Sequence, residues 1–143
     1  MSAELVWQIM GNNHAFLFKQ RGIRKTFSKE PGNLKGFNSP RLSGLANKTV
    51  VGVQEAADKK GIVLAISHPT GSRKIKKTNS QVLLKKNSRT VYKSIKNQFR
   101  SRHLSNKIRS FAIRKASALL SSQRVKAPDA KAAKVEKAAK SKK

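Results

Sequence analysis

The chain has 143 residues, which fits one domain with extensions and argues against two full domains. Its 33 Lys and Arg against 6 Asp and Glu give a formal net charge of +27. So many like charges repel one another, and a polyanionic partner, most simply a nucleic acid, relieves this repulsion best. Without cysteine the chain has no disulfide or thiolate metal site, and no apolar run is long enough to span a membrane. Because the first residues lack a secretory or transit pattern, we expect a cytosolic or nuclear protein.

A helix is the first element that the sequence predicts. Ser2 is placed to cap it, Glu4 complements the helix dipole in the first turn, and apolar residues recur at four-residue spacing up to about Met10. Some of the same apolar residues also alternate, so a strand is the alternative, and we favour the helix. Gly11 begins a turn.

A short hairpin is predicted next along the chain. Residues 15–19 and 23–27 have strand-like patterns, and residues 20–22 form the turn between them. Three phenylalanines fall within this hairpin, and we expect them to fill the core of a sheet: Phe16, Phe18 and Phe27.

Residues 30–48, which we call the arm, lose all periodicity because Gly, Pro, Asn and Ser interrupt them throughout. Cations are interspersed there with apolar residues, including Leu34, Phe37 and Leu42. This mixture suits a segment that becomes ordered on folded RNA, where phosphates take the charges and grooves take the apolar side chains. An ordinary mobile surface loop is the alternative.

Strands return in the middle of the chain. Residues 49–53 and 61–67 are predicted to form a second hairpin, and residues 81–84 a further strand. Residues 69–79 are predicted to be a basic loop between them.

Two helices are predicted at the end of the domain. Asn87 or Ser88 is placed to cap the first and Ser105 the second. Their apolar positions are Val91, Ile95 and Phe99 in the first helix and Ile108, Phe111, Ala112, Ala116, Leu119 and Leu120 in the second. Strands followed by helices predict an α+β domain over residues 1–124, in which both helices pack on a small antiparallel sheet of hairpins.

The C-terminal segment, residues 125–143, changes to Ala and Lys with little else. Alanine and lysine favour helix intrinsically, but the lysines repel one another and the segment has no apolar face. We therefore expect a basic, flexible tail, either disordered or a lone helix, outside the domain.

Acidic side chains are missing from residues 59–128, which contain nineteen Lys and Arg. Helices of ordinary soluble proteins pair their cations with Glu or Asp one turn away. These helices cannot, so we expect a partner to supply the negative charge. The few aromatic residues show no base-reading pattern, which favours recognition of shape and phosphate. The candidate RNA-binding cations are Lys35, Arg41, Lys48, Arg73, Lys74, Lys76, Lys77, Arg89, Arg100, Arg102, Lys107, Arg109, Arg114 and Lys115.

The residue patterns of catalysis and metal binding are missing. His14, His68 and His103 are scattered along the chain with no carboxylate close by in sequence. The segment beginning at Gly71 lacks the preceding glycine that a Walker-type phosphate loop requires, and no serine lies in a nucleophile elbow. We therefore expect no enzyme, no cofactor, no metal and no small-molecule substrate.

Several short stretches match a known family in the family's own order. They are residues 1–3, 5, 7, 16–17, 19, 33–35, 38–39, 41, 44–45, 51–53, 56–58, 60–61, 112–118 and 123. On these residues the chain resembles the family of the eukaryotic large-subunit ribosomal protein twenty-eight. The resemblance implies an α+β domain that binds large-subunit ribosomal RNA without catalysis and is incorporated during assembly in the nucleolus.

A structural protein of the large subunit of the eukaryotic cytosolic ribosome is therefore the expected function. The expected partners are large-subunit ribosomal RNA and neighbouring large-subunit proteins, and the expected location is the cytoplasm after a transient nucleolar stage. A linker-histone-like chromatin protein is the alternative that the Ala/Lys tail suggests. However, twenty-seven of the 33 basic residues precede Ala127, so the domain itself is cationic. A membrane-active cationic protein would need more large apolar anchors.

Overall fold

The computed structural model describes residues 2–67 and 78–124. Within these ranges the helices are α1 (Ala3–Met10), α2 (Ser88–Ser101) and α3 (Asn106–Ser122). Strands β1 (Leu17–Phe18) and β2 (Phe27–Ser28) form an antiparallel pair, and β3 (Val50–Glu55), β4 (Ile62–Ser67) and β5 (Asn79–Leu84) form a separate antiparallel sheet in the order β3-β4-β5. The predicted α+β class is confirmed. The predicted tail and the candidates Arg73, Lys74, Lys76 and Lys77 lie outside the described residues.

The N-terminal segment is a helix, as predicted. The Ser2 side-chain oxygen accepts a hydrogen bond from the Leu5 backbone N–H at 3.3 Å, which satisfies one donor of the first turn. The helix ends at Gly11, whose N–H donates to the carbonyl of Trp7. None of the residues of α1 is buried, so this helix adds little to the core.

The first hairpin is shorter than predicted, and its phenylalanines do not fill a core. Phe18 pairs with Phe27, but each strand has only two residues and the connection spans residues 19–26. Phe16 and Phe18 are exposed, so their predicted core role is wrong. The reason is that the hairpin packs on the arm instead of on the larger sheet: Phe27 forms a β-bridge with Phe37, with ring centroids 5.4 Å apart.

Strands β3, β4 and β5 present one apolar face to the helices. Val53 of β3 pairs with Leu64 of β4, which pairs with Val82 of β5. Along β4, Ile62, Leu64 and Ile66 are buried while the residues between them are half-buried. Because side chains alternate between faces, this register turns every large aliphatic residue of β4 except Val63 toward the same side.

Both C-terminal helices cover that apolar face, which confirms the predicted packing. The buried residues are Val91, Ile95 and Phe99 of α2 and Ala112 and Ala116 of α3. α3 packs directly on β3 and on α2, and its two small alanines allow this close approach. Asn87 and Ser105 occupy the N-cap positions as predicted, but neither side chain makes a capping hydrogen bond.

The arm packs along β3, the edge strand of the larger sheet. A side chain at Gly32 would collide with Val50, and one at Gly52 would lie 3.1 Å from the carbonyl oxygen of Pro31. Leu34 and Leu42 of the arm are buried in the same core cluster as the helices. The prediction that these side chains enter RNA grooves is therefore wrong, because the protein's own core takes them.

Side-chain hydrogen bonds stabilise the arm, which has no helix or strand to pair its backbone groups. Asn33 Oδ1 accepts hydrogen bonds from the backbone N–H groups of Lys35 at 3.0 Å and Gly36 at 2.9 Å, while its Nδ2 donates to the Phe37 carbonyl at 2.7 Å. The Gly44 N–H donates to Glu30 Oε1 at 2.6 Å. The arm thus has no helix or strand, as predicted, but it is hydrogen-bonded internally.

Gln123 joins the C-terminal end of α3 to the turn between β3 and β4. Its Oε1 accepts from the Gly61 N–H at 2.8 Å, and its Nε2 donates to the Gly61 carbonyl at 3.0 Å. Gly61 has φ +89, and an added Cβ would lie 2.5 Å from the Leu84 carbonyl oxygen. The Gln123 amide therefore pairs with the backbone N–H and carbonyl of Gly61, a position whose positive φ and close neighbours only glycine tolerates.

We expect Gln123→Ala to lower the free energy of unfolding by about 1–3 kcal/mol, since two hydrogen bonds each contribute about 0.5–1.5 kcal/mol. Urea denaturation followed by circular dichroism measures this change. Ser121→Ala, at an exposed position of the same helix, is the control and should leave stability nearly unchanged. Equal stabilities for the two variants would contradict this role of Gln123.

Candidate nucleic-acid interface

A groove runs between the arm and one side of α3. Its largest part has a volume of about 620 Å³ and is lined by residues of both elements. It continues past Phe111 through two smaller depressions. We call the whole feature the arm–α3 groove, and its principal lining residues are Lys29, Lys35, Phe37, Arg41, Lys107, Phe111, Arg114, Lys115 and Ala118.

The helical period explains why α3 presents this set of residues. Lys107, Phe111, Arg114, Lys115 and Ala118 are separated by the three- and four-residue steps that place side chains on one side of a helix. The buried alanines of α3 lie on a different side and face the core. One helix thus packs on the sheet and also supplies a cationic wall of the groove.

Phe111 lies at the centre of the groove. It lines all three parts, and the Lys35 ammonium lies 4.1 Å from the centroid of its ring. A cation at this distance is attracted to the face of the ring. The ring is half-buried, so the predicted core position of Phe111 is only partly correct. Phe111 forms an apolar floor between cations.

Lys115 connects α3 to the arm. Its Nζ donates a hydrogen bond to the Asn33 carbonyl at 3.2 Å. Burial desolvates the ammonium and lowers the pKa of Lys115 from its ordinary value. This cation therefore has a structural contact in addition to its position in the groove, and a phosphate nearby would compensate for the water that it has lost.

Charge in the groove is almost entirely positive. Glu30 is the one carboxylate among the described lining residues, and its Oε1 accepts a hydrogen bond from the Gly44 N–H. Six cations line the same surface: Lys29, Lys35, Arg41, Lys107, Arg114 and Lys115. An anion that follows the groove meets cations on both walls.

The groove brings together five of the predicted candidates, and the other described ones lie elsewhere. Arg89 and Arg100 are exposed on α2, and Lys48 is exposed at the end of the arm. Arg102 donates to the Ser80 hydroxyl at 2.8 Å, and Arg109 is half-buried on another side of α3. Lys107, Arg109 and Arg114 are all predicted candidates on α3, but Arg109 does not line the groove.

Four of the nine principal groove residues were not among the candidates: Lys29, Phe37, Phe111 and Ala118. Lys29 precedes the arm in sequence, and nothing in its local pattern places it beside α3. Phe111 could have been recognised, because it lies four residues after Lys107 and three before Arg114, a spacing that puts it among cations on one helical face.

The fold and the groove define a class: a small, strongly basic α+β domain with an irregular arm and an elongated cationic surface. Within the described ranges, no helix has the length and apolar character to cross a bilayer. Nor do these ranges contain a cluster of three or more side chains suited to hold a metal ion.

The chain belongs to the Ribosomal L28e protein family, whose profile matches residues 5–122. It is 43% identical over 127 residues to the Caenorhabditis elegans large ribosomal subunit protein eL28, a match that covers 89% of this chain and 94% of the relative. The Schizosaccharomyces pombe protein of the same name is 34% identical over 130 residues, with 88% and 96% covered. The Dictyostelium discoideum protein of that name is 40% identical over 95 residues, with 64% and 70% covered. The resemblance noted in the sequence is confirmed, and the protein is a ribosomal protein and not an enzyme.

Proposed function

We propose that this protein is a structural constituent of the large subunit of the eukaryotic cytosolic ribosome, where it binds folded ribosomal RNA through phosphate contacts in the arm–α3 groove. The observation that carries the proposal is the convergence of cations from two distant parts of the chain around Phe111. The relatives are named as large-subunit proteins, and this supports the proposed place of the chain in the large subunit. This family membership also disfavours the linker-histone alternative.

The groove suits an RNA backbone better than it suits base recognition. Its cations are distributed along its length, so successive phosphates can each approach one of them. Phe37 and Phe111 offer apolar surface for a ribose or an unstacked base. Binding of this kind reads the shape of a folded RNA and needs little sequence preference.

The protein's own carboxylates neutralise very little of its charge. Between described residues the ion pair that forms is Lys85 with Asp58, at 2.5 Å, and Lys85 lowers the pKa of the Asp58 carboxyl. The pair is exposed, so it stabilises the fold only weakly. With a net charge of +27, the domain gains most from a partner that brings many phosphates at once.

The same proposal covers where the protein acts and what surrounds it. Large-subunit ribosomal RNA and neighbouring large-subunit proteins are its partners. It functions in cytosolic ribosomes, and it passes through the nucleolus, where it joins the assembling subunit.

Sedimentation tests the proposal directly. After magnesium chelation separates the subunits of cell-extract ribosomes, we expect the wild-type chain to sediment with particles of large-subunit size. In cells that also express the wild-type chain, the triple variant Arg41→Gln, Lys107→Gln, Arg114→Gln should be depleted from those particles, because it loses three groove cations.

The matched control removes the same charge away from the groove, by Lys19→Gln, Lys60→Gln and Lys86→Gln, all at exposed positions. It should enter the particles nearly as well as the wild-type chain. A wild-type chain that stays at the top of the gradient would overturn the proposed function. Equal depletion of both triple variants would overturn the role of the groove.

A further inference from the structure

The N-terminal segment differs in charge from the rest of the chain. Residues 2–18 contain no Lys or Arg, although the chain has 33 of them, and Glu4 is the one charged side chain in this segment. The segment includes all of α1 and reaches through β1. A segment without Lys or Arg contributes no cation of its own to neutralise phosphate, so it is poorly suited to RNA.

Exposed apolar side chains are concentrated in the same part of the molecule. Leu5 is 45% exposed, Ile9 69% and Met10 42%, all on α1. Leu5 and Ile9 lie one helical turn apart on the same side, and Met10 lies about 100 degrees around the helix from Ile9. Among the described residues, the other large exposed apolar side chains are Phe16, Phe18, Ile23 and Leu83.

α1 is held in place without being part of the core. Asn38 Nδ2 donates a hydrogen bond of 2.6 Å to the carbonyl of Gly11, which ties the end of the helix to the arm. None of the residues of α1 is buried. An ordered helix that exposes its apolar side chains is typical of a helix that is completed by a partner's groove.

We propose that α1 is a protein-docking helix, which inserts Leu5, Ile9 and Met10 into an apolar groove of a second protein of the large subunit. This inference rests on the proposed function, because it places the partner in the same particle. Glu4 lies on the polar side of α1 and fits a groove with a basic rim. The molecule thereby separates its partners, with RNA on the arm–α3 groove and protein on α1.

Charge argues against the other occupants of this surface. A second copy of the chain would bring together two domains that each carry +27, and the few apolar side chains of an eight-residue helix cannot outweigh that repulsion. RNA would place phosphates beside a helix whose own residues include one carboxylate and no cation. Only a protein partner offers an apolar groove without like charge at its centre.

Site-specific photocrosslinking in purified large subunits tests the inference. A photoreactive phenylalanine derivative is placed at Ile9, and a control derivative is placed at the adjacent polar residue Gln8, about 100 degrees away around the helix. After irradiation, RNase and protease treatments distinguish crosslinks to RNA from crosslinks to protein, and mass spectrometry identifies the joined peptides. We expect Ile9 to crosslink to one defined peptide of another large-subunit protein, and Gln8 to do so far less.

Each other outcome has a definite meaning. A crosslink from Ile9 to RNA, to a second copy of this chain, or to no partner above the Gln8 level overturns the docking role while leaving the proposed function intact. Absence of the unmodified wild-type chain from the large-subunit fraction overturns the proposed function, and the docking inference with it.

A competition experiment gives a second, quantitative measurement. The variant Leu5→Ser, Ile9→Ser is expressed beside the wild-type chain, and the ratio of the two in large subunits is compared with their ratio in total extract. We expect a depletion of about tenfold or more, from the lost burial of two aliphatic side chains. Gln8→Ser should show none. Unchanged circular dichroism would confirm that the double variant is folded, and its undiminished incorporation would overturn the inference.

Discussion

Phe99→Ala is expected to lower the free energy of unfolding by about 3–5 kcal/mol, the usual cost of removing a fully buried aromatic ring. Phe99 is 1% exposed and lies in the core cluster between α2 and the sheet. Its removal leaves a cavity that the neighbouring strands and helices, fixed by their own register, cannot fill. Chemical denaturation of the purified domain measures the loss.

Phe111→Ala is the matched comparison, because it deletes the same ring from α3 at a half-buried position. We expect a smaller loss of stability together with weaker RNA binding, since the ring supports Lys35 and forms the floor of the groove. Equal destabilisation by the two substitutions, with RNA affinity unchanged for Phe111→Ala, would show that Phe111 belongs to the core instead.

RNA affinity of the isolated protein is expected to fall steeply with salt. If about eight phosphates are neutralised, affinity should decrease by roughly three to five powers of ten between about 50 and 200 mM salt. In the triple variant Arg41→Gln, Lys107→Gln, Arg114→Gln, the slope of log affinity against log salt should be smaller by about three, because each lost phosphate contact removes about one unit. Filter binding at a series of salt concentrations provides both values.

The control for charge alone is the triple variant Lys19→Gln, Lys60→Gln, Lys86→Gln, which has the same net charge and an intact groove. Its slope should stay close to that of the wild-type protein. A flat salt response in the wild-type protein would contradict phosphate binding altogether, and identical slopes for the two triple variants would show that binding does not depend on the groove.

The periodicity of apolar residues predicted correctly those helix and strand faces that are formed by residues close together in the sequence. The apolar stripe of Val91, Ile95 and Phe99 defines a helical face directly, and all three side chains are buried. The alternation in β4 works in the same way for a strand. These positions were predictable because the period of the side chains matches the geometry of the element that contains them.

Contacts between distant segments were not predictable from local pattern. Phe18 has the residue type and spacing of a core strand residue, but the short hairpin packs on the arm, and the Lys29 ammonium lies 4.7 Å from the Phe18 ring. Leu34 is buried because Gly32 and Gly52 let the arm approach β3 closely. The sequence pattern of the arm or of β3 alone does not predict this close approach, since it depends on where the two segments meet.

The cationic character of the groove could be predicted from the sequence, but its geometry could not. Three of the predicted cations that line the groove come from the acid-free stretch, residues 59–128, and two come from the arm. Arg109 differs from Lys107 because two residues along a helix turn a side chain by about 200 degrees, and from Arg114 because five residues turn it by about 140 degrees. Composition does not indicate which side of α3 each cation occupies. The position of the arm was needed to identify the side of α3 that lines the groove.

The covering of the larger sheet by α2 and α3 has a consequence for synthesis. A nascent chain that has emerged only as far as β5 can pair its strands, but Val51, Ile62, Leu64 and Ile66 still face water until the later helices follow. Aggregation through such apolar surface is the usual hazard of partly emerged domains. We expect chaperones to contact this chain mainly while residues 88–122 are still being translated, and the contact to end once α3 has left the exit tunnel.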